Sequence, residues 1–70
     1  MKYREVLDVL GRNGFELIRQ RGSHRRFRGT VGGQTRLVTI AFHSQNEEVL
    51  PATLASIIRQ SGLPRSVFRG

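Results

Sequence analysis

Tyr3, Val6, Leu7 and Leu10 recur at three- and four-residue intervals, which predicts an amphipathic helix over residues 2–13. Asn13-Gly14 ends it, because glycine adopts the left-handed backbone that closes many helices. Residues 15–21 then read as a strand, with Phe15 and Leu17 on one face and Ile18 on the other. Gly22-Ser23 is a turn, and residues 24–28 form the second arm of a hairpin. Residues 29–33 read as a loop that is tightest at Gly32-Gly33. The run Leu37-Val38-Thr39-Ile40 marks a third strand over residues 34–42. A polar connection, 43–48, leads to Pro51. Proline suits the first turn of a helix, and Leu54, Ile57 and Ile58 supply a buried stripe for one over residues 51–61. Gly62 caps it and Pro64 prevents its continuation. In the tail, 65–70, Phe68 is expected to fold back onto the core.

The order is therefore α-β-β-β-α, an α+β fold. A three-stranded antiparallel sheet with both helices on one face buries the apolar positions and leaves the other face open. If Phe27 points into the core, strand alternation sends His24, Arg26 and Arg28 to the open face. The seventy residues make one domain, 1–70, without repeats, linkers or low-complexity tracts.

Charge adds a partner to this picture. The formal net charge is +7, and eleven of the twelve basic residues are arginine. No acid occurs between Glu16 and Glu47, whereas Arg19, Arg21, Arg25, Arg26, Arg28 and Arg36 all fall in that window. A one-sided basic cluster is the footprint of a polyanion site. Arginine's planar fork clasps phosphate through two hydrogen bonds and stacks on bases. A polyanion is the partner this implies; an anionic membrane surface is the weaker alternative, since neither terminal helix is basic and strongly amphipathic, and no apolar run reaches spanning length. The absence of cysteine excludes disulfides and thiolate metal sites and fits a reducing, cytoplasmic setting.

Few side chains can carry chemistry. His24 and His43 lack a metal-ligand spacing, and the five acids do not gather in the basic window, so no metal or small-molecule cofactor is expected. The glycines at 29, 32 and 33 lack the lysine and the following helix of a phosphate loop. What stands out is Gly22-Ser23-His24 flanked by Arg21, Arg25 and Arg26. Imidazole takes or gives a proton near neutral pH, and neighbouring guanidinium groups stabilise charge on a phosphorane-like transition state. From the residues alone, a catalytic His24 and a plain surface histidine at a turn are evenly matched. Gly22 and Ser23 support the turn, the Ser23 hydroxyl bonding nearby backbone. His43 shapes the exit of the third strand.

Three stretches together resemble the HicA (YcfA-like) family of bacterial toxins. They are Gly14-Phe15 followed by Arg19-Gln20-Arg21-Gly22-Ser23-His24 and Phe27; Val38-Thr39-Ile40-Ala41-Phe42-His43-Ser44; and Leu50-Pro51-Ala52-Thr53-Leu54 with Ile57-Ile58-Arg59-Gln60-Ser61-Gly62-Leu63. Ala41, Leu50 and Ala52 stand where the family usually has proline, lysine and glycine. The resemblance implies a double-stranded-RNA-binding-domain-like fold and an mRNA interferase whose catalytic histidine is His24. It also implies an antitoxin partner, HicB, that masks the His24 face. The expected function is thus a metal-independent toxin endoribonuclease acting on mRNA, with the six arginines of the basic window holding the RNA. The alternative is a non-catalytic RNA-binding module of the double-stranded type.

Overall fold

The computed structural model describes residues 1–69 of the chain; of the predicted tail, Gly70 lies outside the described residues. The elements are α1 (Tyr3–Arg12), β1 (Glu16–Arg21), β2 (His24–Val31), β3 (Gln34–Ala41), α2 (Pro51–Ser61) and a 3₁₀ turn, η1 (Arg65–Phe68). The strands form one antiparallel sheet in the order β1-β2-β3. The α-β-β-β-α order is the one the apolar pattern predicts.

A single core lies between one sheet face and the helices. Val6 and Leu10 of α1, Phe27, Val38 and Ile40 of the sheet, and Ile57 of α2 are all buried there, with Phe15, Phe42 and Phe68 closing its edges. Phe68 does fold back, as part of η1. In a chain this short a thin core carries most of the stability, so each of these side chains matters individually. Among the described residues no helix is long and apolar enough to cross a membrane.

Local chemistry explains the boundaries. The backbone N–H of Lys2 donates to Glu5 Oε1 at 2.7 Å, satisfying an amide at the start of α1. The Tyr3 and Arg4 amides donate to the carbonyls of Glu47 and Gln45, and the backbone of Lys2 pairs with that of Glu48 in an isolated antiparallel bridge. The polar connection after β3 is thereby stapled to the start of α1. Pro51 opens α2, and Gly62 ends it at φ +71°. Arg36 completes that end, donating through Nε to Gln60 O and through Nη2 to Arg59 O, at 3.1 and 2.9 Å. A cation there offsets the partial negative charge of the helix C-terminus.

Two expectations need correction. The second strand does not stop at Arg28 but runs to Val31, and only Gly32-Gly33 forms the turn, both at positive φ as a two-residue type I′ hairpin requires. Gly29 reads as a breaker in the sequence. In the fold it is an inward strand position over which the Phe15 ring lies, so close that a Cβ would sit 2.7 Å from that ring. In β1, a bulge between Leu17 and Arg19 breaks the strict alternation expected there. Leu17 pairs with Phe27 on the core side, yet Leu17 and Ile18 remain 49% and 43% exposed, because β1 is an edge strand while α2 packs on β3.

Candidate functional site

The open face of the sheet is built from three cross-strand rows. Pairing sets Arg21 beside His24 beside Ala41, then Arg19 beside Arg26 beside Thr39, then Glu16 beside Arg28 beside Leu37. Directly opposed residues share a face, so each row presents its side chains together. The β1 bulge matters here. By inserting one residue it shifts Arg19 and Arg21 into phase with Arg26 and His24. The result is a shallow depression lined by Arg19, Arg21, His24, Arg26 and Thr39. Among the described residues, none of these four cationic and imidazole side chains is engaged in an ion pair or a hydrogen bond. Three guanidinium groups with free donors thus surround one imidazole.

The turn that presents His24 is held from below. Gly22 stands at φ +59°, the positive value that a II′ hairpin turn demands at its first central residue. The Ser23 carbonyl accepts two bonds: from the backbone N–H of Phe42 at 3.2 Å and from Arg25 Nη1 at 2.9 Å. Arg25 Nη1 also donates to Phe42 O at 2.8 Å, and its guanidinium lies 3.7 Å from the centroid of the Phe42 ring. The position of His24 is therefore fixed by the strand that follows it and by the chain that leaves β3. Ser23 contributes its carbonyl. Its hydroxyl makes no hydrogen bond among the described residues, contrary to the turn role expected for it.

Of the six arginines grouped in the sequence, the structure gathers Arg19, Arg21 and Arg26 around His24 and sets Arg28 one row beyond. It does not bring Arg25 and Arg36 to that face. Arg25 is in phase with Phe27 and Arg36 with Val38, so strand alternation carries both to the helical side. Arg25 is spent on the turn and on Phe42, and Arg36 on the end of α2. Thr39 and Glu16 are the face residues that sequence reasoning missed. Alternation outward from Val38 and Ile40 places Thr39, but the apolar Leu37 on the same outward face blurs that period. Glu16 bounds the acid-free window in the sequence, yet lies directly across from Arg28 in space.

His43 is exposed beyond β3, where its backbone N–H and that of Ser44 both donate to Glu47 Oε1, at 2.9 and 2.7 Å. Those two bonds, Ser44 first, together with the nearby His43 side chain, hold the Glu47 carboxyl below the usual carboxylate range, while slight desolvation opposes them. Among the described residues no three His, Asp or Glu side chains converge in a metal-ligand group. Another surface depression lies between α1 and η1 and includes Arg4, Glu5, Asp8 and Arg12. It mixes both charges, with Asp8 and Arg12 already paired at 3.1 Å, and no histidine lines it.

The α-β-β-β-α layout, two helices with a three-stranded antiparallel sheet, is a double-stranded-RNA-binding-domain-like fold. The chain belongs to the HicA toxin family, whose model, HicA toxin of bacterial toxin–antitoxin, matches residues 3–63. That span runs from the start of α1 through the whole sheet to just past the glycine that ends α2, and membership makes the chain a nuclease-type toxin of a toxin–antitoxin system. No individually curated protein matches the chain.

Proposed function

We propose that the protein is an endoribonuclease that cleaves mRNA, with His24 as the proton-transfer residue and Arg19, Arg21 and Arg26 holding the phosphate backbone. One observation carries this reading: the β1 bulge and the hairpin register put the His24 imidazole among three guanidinium groups that are unpaired among the described residues. The substrate's own 2′-hydroxyl is the nucleophile. His24 takes its proton as the oxygen attacks phosphorus, the bond to the 5′-oxygen breaks, and that leaving oxygen takes a proton from water, giving a 2′,3′-cyclic phosphate and a 5′-hydroxyl, after which the His24 imidazolium returns its proton to solvent. The guanidinium groups bear the charge that builds on the non-bridging oxygens. This chemistry needs no metal, and the scarcity of carboxylates around His24 favours it. A HicB-like antitoxin with an acidic surface would cover the same face and withhold His24 from RNA, and the cytoplasm, where mRNA lies, is the site of action.

The second reading is a non-catalytic RNA-binding module of the double-stranded type. The lone imidazole favours it, since no second acid–base group lines the depression. Incubating the purified protein with labelled RNA in excess chelator and analysing the product ends separates the two. Cleavage with cyclic-phosphate ends supports the ribonuclease; intact RNA bound by the protein supports the module.

A further inference from the structure

The open sheet face continues past the His24 depression into a second one, lined by Gly14, Glu16, Arg28, Gly29, Thr30 and Thr35. Its volume is about 410 Å³, within the range of small-ligand sites, roughly 300–1,000 Å³. It lies on the same face as His24 and four residues farther along β2, which is about 13 Å at the rise of a strand. Its chemistry differs from that of the first depression. Among the described residues Glu16 is the one carboxylate on this largely cationic face, set directly across from Arg28. No ion pair joins the two among the described residues, so both a free acceptor and a free donor group face the cavity. Thr30 and Thr35, paired across β2 and β3, add two hydroxyls. Leu37, 46% exposed and paired with Arg28, adds apolar surface beside them.

A carboxylate in this place is costly for a surface that only grips phosphate, because it repels the backbone. It suits a nucleobase. Arginine recognises the O6 and N7 acceptors of guanine, and a carboxylate accepts from base N–H groups. Guanine alone presents two parallel donors, N1–H and the N2 amine, that match both oxygens of one carboxylate, with the O6 acceptor beside them. The Watson–Crick edge of an unpaired base is open to such contacts, and the base plane can lie on apolar side chains. We infer that the Glu16–Arg28 pocket is a base-reading subsite that selects guanine in single-stranded RNA, a few nucleotides from the bond on which His24 acts.

This inference rests on the proposed function, in that RNA must lie along the His24 face. The test measures binding of short oligouridines, each with one guanine, adenine, cytosine or inosine scanned along it, to His24→Ala protein with Glu16 intact or changed to Gln. Guanine at one position is expected to tighten binding on the order of tenfold over adenine or cytosine. Inosine, which lacks the N2 amine, should forfeit about tenfold of that gain, as a lost hydrogen bond to a charged group does. Glu16→Gln should erase the guanine preference without weakening binding to plain oligouridine, since a repulsive charge is removed. Equal affinity for all bases, or a guanine preference that survives Glu16→Gln, overturns the subsite while leaving the RNA-binding face standing. No binding of any oligonucleotide overturns both.

Discussion

The guanidinium of Arg25 lies 3.7 Å from the centroid of the Phe42 ring, and Phe42 stacks in turn on Tyr3 with 4.9 Å between ring centroids. This stack joins α1, the exit of β3 and the turn before His24. It also divides two neighbouring arginines by role: Arg25 braces the turn, and Arg26 faces the RNA side. Arg25→Ala should cost about 1–3 kcal/mol of stability, from two lost charged hydrogen bonds and the ring contact. It should leave the salt dependence of RNA binding unchanged. Arg26→Ala should do the reverse, sparing stability and flattening the log–log salt slope by roughly 0.7 for a single strand. Chemical denaturation and affinity over a salt series check both; equal effects of the two changes on the salt slope would contradict the division.

Two glycines should respond with opposite signs. A Cβ at Gly29 meets the Phe15 ring at 2.7 Å, so Gly29→Ala should destabilise the fold by about 1–3 kcal/mol through overpacking. Gly11, inside α1, has open space where its Cβ would go, so Gly11→Ala should stabilise by roughly 0.5–1 kcal/mol. Thermal melts of the two variants read the difference directly.

Arg36 should behave as a helix cap rather than an RNA contact. Arg36→Ala removes the donors to Gln60 O and Arg59 O and should cost about 1–2 kcal/mol. Its RNA salt slope should match that of the unmodified protein. A slope flattened as much as in Arg26→Ala would place Arg36 on the RNA face after all.

The connection 43–48 should loosen in acid. Glu47 has a depressed pKa because its carboxylate accepts from the Ser44 and His43 amides. A group lowered on folding contributes stability that is present above its unfolded value and lost as pH falls through the folded one. Protection of the Ser44 amide from exchange should therefore persist through the ordinary carboxylate range, near 4.5, and fade only below it. Loss of protection above that value, or none in Glu47→Gln relative to the native chain at neutral pH, distinguishes the outcomes: the first contradicts the assignment and the second supports it.

Much of the fold was legible because its signals are local. The 3.6-residue spacing of Tyr3, Val6 and Leu10 marks α1, and Pro51 with Gly62 brackets α2. The site was only half legible. Alternation around Phe27 correctly sends His24, Arg26 and Arg28 outward. It also sends Arg25 inward, but proximity in sequence groups it with its neighbours. Arg36 is misplaced for a related reason: Leu37 puts an apolar residue on the outward face of β3, so the phase of the strand is hidden until α2 covers Val38 and Ile40. The bulge at Leu17–Arg19 has no signature in the residues, yet it decides that Arg19 and Arg21 join His24. Glu16 is close to Arg28 only through strand pairing, a relation no linear window contains.

The central claim is that His24 performs chemistry on RNA rather than merely touching it. Single-turnover cleavage and RNA affinity, measured side by side in chelator for the native protein and for His24→Ala with its fold verified by circular dichroism, test this most directly. The account predicts cleavage by the native protein, a loss of about 10²-fold or more in the rate for His24→Ala, the usual contribution of a general base, and affinity within a few-fold of native. Undiminished cleavage by a folded His24→Ala protein, or a loss that follows affinity alone, would contradict it.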